Sequence, residues 1–151
     1  MRRILLISLL AVVACGCTPK LLLNQTFLVS EDLKLTPSGF ISLKSTGETF
    51  DLSPIRRLEP DAGERVVIGK VRGVFLATGD GFRHIWRLWP AGQDQAYYKP
   101  LDYNPGPDGF RAATLEIVGP CAVVHWDRGG IAAVAYVTSD GDVDENKCQD
   151  K

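Results

Sequence analysis

Metal ligands are scarce in this sequence. Of its 151 residues only two are histidine and four cysteine. His84 and His125 lie far apart and there is no Cys-x-x-Cys pair, so the usual ligand sets for zinc are missing. A strong charge of either sign is absent too, since 17 basic residues meet 18 acidic ones. Nucleic-acid binding needs a concentrated basic field, and nothing here supplies one. There is no low-complexity tract and no repeat at solenoid or propeller spacing. The motifs of common hydrolytic chemistry are missing as well, with neither a Gly-x-Ser-x-Gly elbow nor a His-Glu-x-x-His pair. No catalytic residue, metal ligand or cofactor is therefore assigned, although glycosidase carboxylates meet only in space and leave no trace in a sequence. Asp140-Gly141-Asp142-Val143-Asp144 begins like a calcium loop. Glu145, however, stands where an EF-hand needs glycine, and Lys151 where it needs the bidentate glutamate, so a solvated acidic turn is expected.

Also missing is an apolar run long enough to span a bilayer, which takes about 20 residues of helix. What the chain has instead is Arg2-Arg3 followed by the short run 4–14, in which Ser8 is the one polar residue, and then Cys15. A basic start, a short apolar core and a small residue at its end predict a secretory signal, removed from the mature protein. Val12-Val13-Ala14-Cys15 resembles the lipobox of bacterial lipoproteins. The resemblance implies diacylation of the Cys15 thiol, cleavage before it and a further acyl chain on the new amine. Ala14-Cys15-Gly16-Cys17 offers a second box around Cys17, but its alanine suits the aliphatic position less well. Lipoproteins of this kind kept at the inner membrane commonly carry Asp after the cysteine. Gly16 in that place implies the outer membrane, with the domain facing the periplasm. Two or three chains, at about 0.8 kcal/mol per buried CH₂, anchor a protein stably where one does not. The expected organisation is a signal peptide over residues 1–14, a lipidated anchor and tether over 15–23, and a single domain over 24–151.

In an oxidising compartment the remaining cysteines, Cys121 and Cys148, are expected to pair. The exported stretch reads as short strands broken by turns. A strand is predicted over residues 25–29, and residues 40–44 and 49–52 flank the hairpin turn Ser45-Thr46-Gly47-Glu48. Ser53-Pro54 reads as an N-cap with Pro at the first helical position, and Pro60 stops the helix after Glu59. Residues 65–77 form a β-rich stretch bent at Gly69 and Gly73, followed by the turn Thr78-Gly79-Asp80-Gly81 and a second arm over 82–89. Beyond a Pro- and Gly-rich loop at 104–109, residues 111–118 alternate, with Ala113, Leu115 and Ile117 on one face. Residues 122–126 and 131–137 form a last hairpin around Asp127-Arg128-Gly129-Gly130. Its second arm is apolar on both faces, which predicts a central strand. The sum is an all-β fold, a small β-sandwich or barrel of about eight short antiparallel strands with at most one short helix.

Aromatic and basic residues interleave between Phe82 and Tyr103. On a continuous strand Phe82, His84, Trp86 and Leu88 share one face, and Arg83, Ile85, Arg87 and Trp89 the other. With the first set in the core, Trp89 is exposed. Arg83, Arg87, Trp89, Tyr97, Tyr98 and Tyr103 then make a candidate binding surface, of the composition seen at interaction hot spots and equally suited to sugar rings. The functional expectation is a membrane-anchored, non-enzymatic envelope lipoprotein that binds a protein partner, either an assembly component or a toxin or hydrolase to be inhibited. The alternatives are an envelope-glycan module for peptidoglycan and an unrecognised hydrolase. Radiolabelled palmitate fed to cells should label wild type and Cys17→Ala but not Cys15→Ala. Label surviving in Cys15→Ala would move the anchor to Cys17.

Overall fold

The computed structural model describes residues 30–89, 98–144 and Cys148. The predicted signal, the Cys15 anchor, the strand placed at 25–29 and Tyr97 lie outside the described residues. Mostly antiparallel strands and one short helix make the fold all-β. The strands are β1 (Glu31–Lys34), β2 (Phe40–Ser42), β3 (Thr49–Asp51), β4 (Arg65–Val71), β5 (Val74–Gly79), β6 (Trp86–Leu88), β7 (Tyr98–Pro100), β8 (Thr114–Val118), β9 (Cys121–Asp127) and β10 (Ala132–Thr138). Helix α1 (Ser53–Leu58) follows β3. Three antiparallel sheets result, ordered β1-β4-β5-β6-β7, β10-β9-β8 and β2-β3. No helix among the described residues is long and apolar enough to cross a membrane.

The five-stranded sheet is the middle layer. Successive side chains of β4 alternate sides, yet Val66, Val67, Ile68 and Val71 are all buried. On the Ile68 and Lys70 side lie the β2-β3 hairpin and α1. Phe50 meets Phe75 edge-on at 4.8 Å, Lys70 Nζ reaches Glu48 Oε1 at 3.1 Å, and the Tyr98 hydroxyl donates to the Asp51 carbonyl. On the Gly69 side lies the three-stranded sheet. A Cβ on Gly69 would stand 2.5 Å from Leu115 Cδ2 and 3.1 Å from Ile117 Cδ1, so glycine is what lets β8 close on β4.

Several sequence expectations are corrected. The stretch 65–77 is not one bent strand. It reverses at Arg72-Gly73, where φ is +47° and +85°, the geometry of a tight primed hairpin turn, and Val71 pairs with Val74. Ser53 is the first helical residue rather than the cap. Leu52 takes the N-cap with no side-chain hydrogen bond, and Ser53 Oγ donates to the Ser38 carbonyl at 3.3 Å. β10 is an edge strand and β9 is central to its sheet. The apolar outer residues of β10 are instead left in the open, Ile131 at its entry 72% exposed and Val134 44%. The arm 82–89 pairs as a strand only from Trp86.

Cys121 and Cys148 form a disulfide, with their Cα atoms 5.6 Å apart. It secures a tail that already runs along one end of β10, where the Asp144 N–H donates to the Tyr136 carbonyl at 3.0 Å and the Thr138 N–H to the Asp142 carbonyl at 2.9 Å. Asp140 takes part in this turn, its carbonyl accepting from Arg87 Nη1 at 3.0 Å. No three His, Cys, Asp or Glu residues group as metal ligands among the described residues. Closing a loop with a sequence separation of 27 is worth about 3.5 kcal/mol in the chain-entropy picture. The double variant Cys121→Ala, Cys148→Ala should lose roughly that much stability in urea unfolding; a loss below about 1 kcal/mol would show that the tail adds nothing to the fold.

Glu31 ties β1 to the hairpin turn. Its carboxylate accepts the Lys44 and Ser45 N–H groups, each at 2.8 Å, and the Ser45 hydroxyl. Partial burial favours the neutral acid, but the Ser45 hydroxyl and then the two N–H groups outweigh it and hold the pKa below 4.5. A carboxyl whose folded pKa is depressed contributes stability above its unfolded pKa and loses it as pH falls through the folded value. Between about pH 5 and pH 3, wild type should therefore lose more stability than Glu31→Gln. Equal acid sensitivity would mean that Glu31 contributes nothing.

Candidate functional site

The site begins with a buried carboxylate. Glu59 follows α1, and its side chain is 1% exposed. An ionised carboxylate taken out of water must be fully hydrogen-bonded to be tolerated. Three donors meet it. His84 Nδ1 lies 2.8 Å and Trp86 Nε1 3.0 Å from Oε1, and the Arg83 N–H donates to Oε2 at 2.8 Å. All three donors come from residues 83–86, two from the short segment between β5 and β6 and one from the first residue of β6, so Glu59 fixes the course of that segment.

The consequence is a break in alternation. Residues 83 and 84 form a bend, and pairing resumes only at Trp86. Phe82 and Ile85 both turn inward and are buried, while Arg83 and His84, adjacent in sequence, both border one groove. Because a carboxylate only accepts, the proton on the inner edge of the His84 ring sits on Nδ1, which leaves Nε2 on the other edge. The ring is 43% exposed on its side chain and packs edge-on to Trp86, with centroids 5.7 Å apart.

The facing wall is the chain after β7, residues 100–106, and the groove between has a volume of about 440 Å³. Leu101 anchors this wall, its N–H donating to the Ile85 carbonyl at 2.8 Å. Tyr103 stacks on Phe110 at 6.4 Å and meets Trp126 edge-on at 5.6 Å, while Trp126 Nε1 donates to the Pro105 carbonyl at 3.3 Å. Asn104 Oδ1 accepts the Gly106 N–H at 2.9 Å, closing a local turn. The wall is thus held by its own aromatic packing, with Asp102, Tyr103 and Asn104 along the groove. Burial pushes the Tyr103 hydroxyl above the usual phenol range, against the opposing pull of Arg128, so it stays a protonated donor at neutral pH.

Arg83 also borders a second groove of about 570 Å³ with Asp61, Asp80, Asp108 and Arg111. Those charges pair among themselves and with Arg65. Arg83 Nη2 lies 3.2 Å from Asp61, Arg65 Nη1 3.4 Å from Asp80 and Arg111 Nη1 3.9 Å from Asp108. The first groove, with hydrogen-bonding side chains converging from both walls, is the better candidate for a ligand.

Of the six residues expected to form one surface, Arg83 and Tyr103 do meet at this groove. Arg87 and Trp89 do not join them. The Arg87 guanidinium lies 5.1 Å from the Trp89 ring centroid and holds the Asp140 turn. Tyr98 is half-buried, with its hydroxyl on the Asp51 carbonyl. Burial, and secondarily Asp51, raises its pKa. His84 was expected in the core and is instead a groove residue. Glu59, Asp102 and Asn104 were not singled out by sequence. The bend at 83–84 depends on Glu59, distant in sequence, and strand periodicity carries no sign of it.

The chain matches no protein-family model, no curated protein sequence and no solved structure. Replacing Glu59 with alanine leaves three donors without their acceptor, and a buried donor left unsatisfied costs about 1–3 kcal/mol. Glu59→Ala should show that loss in urea unfolding, with Glu59→Gln retaining part of it. A near-neutral Glu59→Ala would mean that packing alone sets the bend.

Proposed function

We propose that this chain is a cell-envelope lipoprotein, anchored through acylated Cys15 at the outer membrane and facing the periplasm, whose β domain binds envelope glycan without catalysing a reaction. The anchor rests on the Arg2-Arg3 start, the short apolar run and the lipobox resemblance. The groove between Arg83-His84 and residues 100–106 carries the binding reading. Its walls combine apolar ring and proline surface with the polar ends of Arg83, His84, Asp102 and Asn104, the mixture that a sugar ring needs: an apolar face to lie on and bidentate partners for its hydroxyls. His84 and Glu59 resemble a base and its orienting acid. Among the described residues, none lining the groove is a serine, threonine or cysteine that such a base could activate.

A protein partner is the second reading, favoured by the exposed Val134 on the edge strand β10 and Ile131 at its entry. The tail covers the 136–138 end of that strand, which leaves 132–134 as the place for an added strand. Co-sedimentation of the detergent-solubilised lipoprotein with purified peptidoglycan sacculi separates the two. His84→Gln with Asp102→Asn should weaken sedimentation about tenfold, the loss of one or two good hydrogen bonds, and Ile131→Lys with Val134→Lys should leave it unchanged. No binding to sacculi, together with stoichiometric capture of one envelope protein that only the β10 variant loses, would replace the glycan reading with the second.

A further inference from the structure

We infer that the groove selects a sugar bearing a carboxylate, held by the Arg83 guanidinium; this rests on the glycan reading above. A strand would send two consecutive side chains to opposite faces. Here the bend held by Glu59 delivers both to the same groove.

Each of the two side chains has one edge occupied by a carboxylate of the protein's own. Asp61 takes Arg83 Nη2 at 3.2 Å, and Glu59 takes His84 Nδ1 at 2.8 Å. These contacts aim the side chains without using them up. A guanidinium has five N–H donors in a rigid fork, and a single partner leaves a face for a second planar acid. The imidazole, with its Nδ1–H on Glu59, presents Nε2 as an acceptor for a sugar hydroxyl beside the acid. The Arg83 backbone N–H is committed to Glu59 as well, so the backbone of this rim has little freedom left to lose when a ligand arrives.

The opposite wall carries the opposite chemistry. Asp102 and Asn104 supply acceptors for hydroxyl and amide N–H donors, and Asn104 adds donors of its own. A ligand with an anionic group on one side and hydroxyl or acetamido groups on the other fits this polarity in one orientation only. A neutral sugar would give Arg83 only neutral acceptor oxygens, whereas a carboxylate brings a full charge and the bidentate fit to the guanidinium.

N-acetylmuramic acid and N-acetylglucosamine test this directly, because they share ring and acetamido group and differ by the lactyl carboxylate. With the detergent-solubilised lipoprotein, chemical-shift titration should show the muramic acid binding at least about tenfold more tightly. Its methyl ester, which keeps the lactyl arm and loses the charge, should fall to the level of the glucosamine. Arg83→Gln, at an exposed position, should bring the two sugars to equal affinity. Equal affinity for the two sugars, or a preference that survives either esterification or Arg83→Gln, would overturn the carboxylate assignment and leave the glycan reading standing. Binding of neither sugar, with sacculi also unbound, would overturn both.

Discussion

A sheet that is apolar on both faces must be covered twice, and this fold follows from that constraint. β4 and β5 bury side chains toward both neighbours, so neither the β2-β3 hairpin with α1 nor the three-stranded sheet suffices alone. Two short layers therefore clasp a middle one, and their strands need only be a few residues long. At about 25 cal/mol per Å² of apolar surface, burial on both faces of so small a sheet is the main favourable contribution available to a domain of this size. Side-chain volume is adjusted where the layers approach most closely. Gly69 lets Leu115 and Ile117 settle onto the sheet, and Phe50 wedges against Phe75 on the other side.

The groove lies where this layering ends. Strand pairing lapses between Gly79 and Trp86, and the chain there has to satisfy its backbone groups by other means. The Phe82 carbonyl accepts the Phe110 N–H, the Gly81 N–H donates to the Phe110 carbonyl, and the Arg83 N–H goes to Glu59. Thr78 Oγ1 adds a bond to the His84 carbonyl. Each of these partners comes from a different part of the sequence. An irregular segment so constrained can present side chains in an order that no regular strand allows, which is the structural reason for a site here rather than on the flat faces of the sheets.

All-β character was legible because hairpin turns and alternation are local signals. The β2-β3 turn falls where Ser45 to Glu48 stand, and β8 alternates as Ala113, Leu115 and Ile117 suggested. The Arg72-Gly73 reversal escaped because the strongest turn signals pair Asn or Asp with Gly, and Arg at positive φ is uncommon. The rule that a strand apolar on both faces is central holds in this molecule for β4, whose Gly69 and Lys70 disguised it. Applied to β10 it failed, because short residues on an edge strand can be apolar without being covered. Half of the expected binding surface dispersed for a related reason. Strand periodicity assigns faces only while pairing lasts, and between Phe82 and Ile85 it does not.

The same carboxylate explains both why the site could not be read from sequence and why it suits recognition. Glu59 is remote from residues 83–86 along the chain, so no local pattern records their contact, and a helix-ending Glu-Pro pair is ordinarily solvated. Once buried, the group must keep its three donors or lose several kcal/mol, which holds the His84 ring and the Arg83 backbone in place whether or not a ligand is present. Two adjacent polar side chains held on one rim, against a wall braced by Tyr103, Phe110 and Trp126, are what the buried charge supplies. A preformed backbone of this kind spends little ordering free energy when a ligand is bound.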